Sequence, residues 1–112
     1  MKVCLGQINT TPGDFAGNLE KVRVGIEAAS KAQADLVVFP ELTLPGYLSQ
    51  DLIYNPDFIE RNLQALQEVV EISRYCNPGL HIVIGYIGKN TGVGKPFTNL
   101  AGVINQGRLI HI

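Results

Sequence analysis

The chain has 112 residues, 46% of them hydrophobic, and a formal net charge of −1: one domain's worth of chain or less, and too apolar for a disordered segment. The balanced charge gives no electrostatic footprint for nucleic acid or an acidic membrane surface, and no apolar run approaches the ~20 residues needed to span a bilayer. Two cysteines, Cys4 and Cys76, make no disulfide framework, and the opening MKVCLGQIN lacks the long apolar segment of a signal peptide, so a reduced, cytoplasmic protein is expected.

Residues Lys2 to Asn9 read as a first strand, mostly apolar and bounded by TTPGD. Asp14 is placed to cap a helix in which Leu19, Val22, Ile26 and Ala29 recur at helical spacing. Leu36 to Phe39, LVVF, is a short apolar run, the pattern of a strand covered on both faces. A loop carries Pro40 to Gln50. Asn55 and Pro56 then open a second helix as cap and first helical residue, with Phe58, Leu63, Leu66, Val70 and Ser73 on its inner face and Glu60, Arg61, Glu68 and Glu71 on its wet face. Asn77 to Gly79 stops it. His81 to Ile87 is a third strand, and a Gly/Lys loop runs to Pro96. TNLAGVI and RLIHI flank NQG, Asn105 to Gly107, read as a three-residue hairpin connection. Alternating strands and helices of this order predict an α/β layered sheet. Ile112 falls inside an apolar strand, so residues 1–112 are expected to be the first part of a larger domain.

Glu41 is the main candidate for chemistry. Sites in layered α/β sheets gather at the carboxyl ends of strands, and Glu41 stands at such an end, behind Pro40. A carboxylate partly withdrawn from water holds its proton more tightly, which suits a general base. Position alone still favours a solvated loop acid, because functional tuning is the rarer outcome. Tyr47 follows a loop glycine, Gly46; from spacing it packs its ring on the loop or turns its hydroxyl into the same site. Cys4 and Cys76 have no histidine or lysine close in sequence to activate them and read as structural thiols. GKNTGVGKP, Gly88 to Pro96, mimics a phosphate loop, but Lys89 stands where its first glycine belongs and Pro96 where its Ser or Thr belongs. His81 and His111 lack carboxylates at ligand spacing, so no metal site is expected.

Together these residues resemble the carbon–nitrogen hydrolase, or nitrilase, superfamily. GQINTTPGDFAGNLEKV, with Gln7, Asn9, Gly13, Asp14 and Asn18, is similar to the family's opening strand and first helix. ADLVVFPELTLPGY is similar to its general-base motif, and FTNLAGVINQGRLIHI to the strand pair that leads toward its lysine. YLSQDLIYNPDFIERN, through Asp51-Leu52 and Pro56-Asp57-Phe58, narrows the likeness to the glutamine-hydrolysing domain of glutamine-dependent NAD+ synthetases. Leu48 and Gln50 stand where that subfamily usually has proline and glutamate.

The resemblance implies an αββα four-layer sandwich, of which residues 1–112 supply the N-terminal portion, roughly two helices and five strands. It implies a cysteine, lysine and glutamate triad in which Glu41 matches the general base, and a pocket for the amide lined by Tyr47. The cysteine and lysine have no match here: Lys89 and Lys95 come too early, and Cys4 and Cys76 are in the wrong elements. Implied too are glutamine or another small amide as substrate, homo-oligomers, and no cofactor for hydrolysis. ATP and Mg2+ would act in a separate synthetase domain that uses the released ammonia. A free-standing amidase of the superfamily, or a truncated packing module without catalysis, are the alternatives.

Overall fold

The computed structural model describes residues 1–46, 55–90, 92–94 and 97–112. Its elements in chain order are β1 (Val3–Leu5), α1 (Phe15–Lys31), β2 (Leu36–Val38), α2 (Pro56–Ser73), β3 (His81–Lys89), β4 (Phe97–Asn105) and β5 (Arg108–His111). They form one five-stranded sheet in the order β1-β2-β3-β4-β5. β1, β2 and β3 run parallel, and β4 and β5 add antiparallel. Two helices and five strands are the portion expected of the sandwich.

Both helices start as the sequence indicates. The Asp14 carboxylate accepts from the Gly17 N–H at 3.0 Å, and the Asn55 amide oxygen from the Asp57 N–H at 2.9 Å, with Pro56 as the first helical residue. The strand order β1-β2-β3 steps in one direction, and right-handed crossovers of that kind set both helices on the same face. Val22, Ile26 and Ala29 from α1 and Phe58, Leu66, Val69 and Val70 from α2 meet Val37, Ile82, Ile84 and Ile104 in a single core. Leu63, expected on the inner face of α2, is half-buried, while the adjacent amide Asn62 is fully buried.

The opposite face is not covered by the described residues of this chain. In the register Val3↔Leu36↔His81, with Val83 opposite Val103, the residues Val3, Leu5, Leu36, Val38, Val83, Ala101 and Val103 share that face. Val3 and Leu5 are 47% and 69% exposed, and Leu36, Val38, Val83 and Val103 are half-buried.

Two elements differ from the sequence reading. β1 is three residues long, because Gly6 already leaves the ladder with one last bond, its N–H to Val38 O at 2.8 Å. The β4–β5 connection is two residues, not three, since Asn105 pairs with Arg108. Gln106 and Gly107 take φ of +48° and +76°, the two left-handed residues of a turn whose twist matches the strands it joins.

Candidate active site

β3 is nine residues long and β2 only three, so β3 continues past its neighbour with one edge open. The chain after β2 fills that edge without forming a strand. Phe39 N–H donates to Val83 O at 2.9 Å and Leu44 N–H to Gly85 O at 3.2 Å. Next along, the Asn62 side chain takes over, its oxygen accepting from Ile87 N–H at 3.0 Å and its amide donating to Ile87 O. Every open backbone group named here thus has a partner, as buried peptide groups require.

Residues 40–46 are held as tightly from the other side. Asn18, 1% exposed, donates to Thr11 O at 2.9 Å and Leu44 O at 3.0 Å and accepts from Thr11 N–H at 2.8 Å. Gly13 N–H donates to Pro45 O and Gly46 N–H to Leu42 O, each at 2.9 Å. The Thr43 hydroxyl donates to Pro40 O. Leu42 adopts φ +53° while 95% buried, a left-handed conformation that costs a leucine energy and that only over-determined surroundings maintain. The strained residue is next to Glu41.

Glu41 is the third residue after β2, at the strand's carboxyl end. Its carboxylate accepts a hydrogen bond from the Asn99 amide of β4. The two side chains flank an open cleft of about 350 Å³ on the uncovered sheet face, walled by Phe39, Pro40, Val83, Gly85 and Ala101. Among the described residues Glu41 is exposed, and they give the cleft a floor, the sheet, and one wall, the loop. Tyr47 lies outside the described residues.

The other candidates are elsewhere. Cys4 is in β1 and packs against the helix-side core. The Cys76 thiol contacts Ile72 O at 3.4 Å, and burial, aided by the charge of Glu27, pushes its pKa up, the reverse of what a nucleophile needs. Lys89, the last residue of β3, pairs with Glu60 of α2 at 3.0 Å. Lys95 lies outside the described residues. Among the described residues, no three His, Cys, Asp or Glu side chains gather as metal ligands, and no helix is long and apolar enough to cross a membrane. Sequence reasoning missed Asn62 and Asn99, and took Asn18 only as part of a resemblance. Asn18 and Asn62 carried a usable signal, each falling four residues from a core position, before Val22 and before Leu66. Asn99 carried none, because its meeting with Glu41 depends on the β3–β4 register.

A parallel-then-antiparallel sheet, helices on one side and an acid over a cleft on the other fit one class, and the chain belongs to it: the carbon–nitrogen hydrolase family, whose family model matches residues 2–111. Within that class the likeness is to glutamine-dependent NAD(+) synthetases. The one from Thermotoga maritima is 35% identical over 112 residues, covering 100% of this chain and 18% of the relative. The one from Synechocystis sp. is 33% identical over 111 residues, covering 96% and 19%. The structure of glutamine-dependent NAD+ synthetase from Acinetobacter baumannii, solved with ADP, superposes with a TM-score of 0.81 at 28% identity, covering 96% of this chain and 19% of that one. An amidase from Nesterenkonia sp. shares the fold, with a TM-score of 0.81 at 23% identity over 98% of this chain and 40% of its own. The chain spans about a fifth of the length of these curated relatives.

Proposed function

We propose that residues 1–112 are the N-terminal portion of a glutaminase domain that hydrolyses glutamine to glutamate and ammonia, with Glu41 as general base. The ammonia feeds an ATP-dependent amidation of deamido-NAD+ to NAD+ in a separate synthetase domain. The observation that carries this reading is the Glu41 carboxylate held beside a cleft on the sheet face that the helices leave open.

In this mechanism the Glu41 carboxylate takes the proton of a cysteine thiol supplied by the rest of the domain. The thiolate attacks the amide carbon, and a lysine and a backbone N–H, also supplied elsewhere, stabilise the oxyanion. Collapse of the tetrahedral intermediate breaks the C–N bond, and Glu41 returns its proton to the departing nitrogen, giving ammonia. Glu41 then takes a proton from water, whose oxygen attacks the thioester carbon. Glutamate leaves, and the thiol regains the proton. Tyr47 lines the amide pocket. ATP and Mg2+ act in the separate synthetase domain, and the hydrolysis itself uses neither. The working protein is a cytoplasmic homo-oligomer.

The test is Glu41→Gln in the full-length protein. Glutamine hydrolysis should fall by at least ~100-fold, the low end of what a positioned base supplies, while synthesis from added ammonia stays at the parent rate. Glutamine-driven activity near the parent level would remove Glu41 from the mechanism.

A further inference from the structure

We infer that Asn99 is a positioning residue for Glu41, fixing the carboxylate's orientation so that one oxygen is committed to the protein and the other to the reaction. The pinned loop sets the Glu41 backbone, but a glutamate has three rotatable bonds beyond it, and among the described residues of the loop none hydrogen-bonds its carboxylate. The Asn99 amide does so by donating to Oε1. A carboxylate only accepts, so the amide nitrogen is the atom that must face it. With Oε1 engaged, Oε2 is the oxygen assigned to the proton.

The placement of Asn99 is itself built. It lies opposite Ile87 in the β3–β4 ladder. Ile87 spends both its backbone groups on the Asn62 side chain, so Ile87 and Asn99 are a non-hydrogen-bonded pair, the kind whose side chains lie closest. Asn62 is fully buried and ties that point of β3 to α2. A continuous series of contacts runs from α2 through Ile87 to Asn99 and on to the carboxylate, independent of the Asn18 network that holds the Glu41 backbone.

Resting as it does on Glu41 as the base, the inference is tested beside Glu41→Gln in the full-length protein, by steady-state glutamine hydrolysis. Asn99→Leu should lower kcat about tenfold, the scale of one hydrogen bond to a charged group, with KM changed less than about twofold. Asn99→Gln keeps an amide donor and should recover most of the loss. Asn99→Asp replaces the donor with a like charge; its deficit should exceed that of leucine and shrink as pH falls, because a proton shared by the two acids restores a donor. If Glu41→Gln is inactive but Asn99→Leu keeps the parent kcat, or loses only KM, the positioning role is overturned and the base survives. Equal losses in the leucine and glutamine variants would also overturn it, by pointing to packing. If Glu41→Gln is active, the base itself falls. Asn99 is exposed, so thermal melting should be unchanged in all three variants; a lowered melting point shared by the three would assign their losses to folding and overturn the inference.

Discussion

Gly85→Ala is expected to disable the site while leaving the core intact. A Cβ built at Gly85 would lie 2.5 Å from Leu42 N, 2.8 Å from Pro40 O and 3.0 Å from the Glu41 carbonyl carbon. All three are backbone atoms, so no rotamer change relieves the overlap. Reaching the 3.4 Å at which ordinary contact begins requires the loop to retreat by about 0.9 Å. Gly85 itself is not in the left-handed region, so alanine suits its strand conformation, and the whole effect comes from the contact. Overpacking of this sort costs about 1–3 kcal/mol, and the retreat also pulls on the 3.2 Å Leu44–Gly85 hydrogen bond. A displacement near 1 Å of a catalytic group lowers rates on the order of 100-fold. The measurement is kcat of the proposed glutamine hydrolysis in the full-length protein together with its melting temperature, with Gly79→Ala as control, since a Cβ there meets nothing within 4 Å. A Gly85→Ala protein with parent kcat would refute the idea that this close approach sets Glu41.

Asn18→Ala orphans the Thr11 N–H and two carbonyls at a site 1% exposed, and should destabilise the fold by about 2–3 kcal/mol in chemical denaturation. Gln106→Asn puts the residue type preferred in this turn at φ +48° and should add about 0.5 kcal/mol by the same assay. Because burial and the Glu27 charge raise the Cys76 thiol's pKa, its thiolate fraction near neutral pH is below that of a free cysteine. Alkylation of Cys76 in the native protein should therefore be slower than in the unfolded chain, and the gap should narrow as pH rises past the raised value.

Helices and strands were legible wherever local physics chose them. Asp14 and Asn55 are caps by their own side-chain chemistry, and Val22, Ile26, Leu66 and Val70 mark buried faces by spacing alone. The hairpin was misjudged by one residue because NQG does not say which of its members joins the ladder; pairing of Asn105 with Arg108 decides that. The buried amides were harder to read. A polar residue on a helix counts as solvent-facing in any hydropathy pattern, yet Asn62 lies on the line Phe58–Asn62–Leu66–Val70, and it is Leu63 that is half-buried. An asparagine on an apolar stripe reports backbone groups elsewhere that need partners, and the sequence does not say which.

The candidate site was legible as a position and not as a geometry, and the reason is a mismatch of strand lengths. LVVFPELTLPG announces an acid after a strand. It does not announce that β2 ends after Val38 while β3 runs on to Lys89, which leaves an unpaired edge just where the acid emerges. That edge draws the loop down onto Val83 and Gly85 by backbone bonding, and Gly85 lets it come closer than any side chain would permit. The same extension carries β3 far enough for β4 to pair along it as far as Phe97, and so brings Asn99 over to the acid. Glu41 therefore meets its partner through long-range register, the level at which a one-residue slip would send Asn99 to the helix side of the sheet.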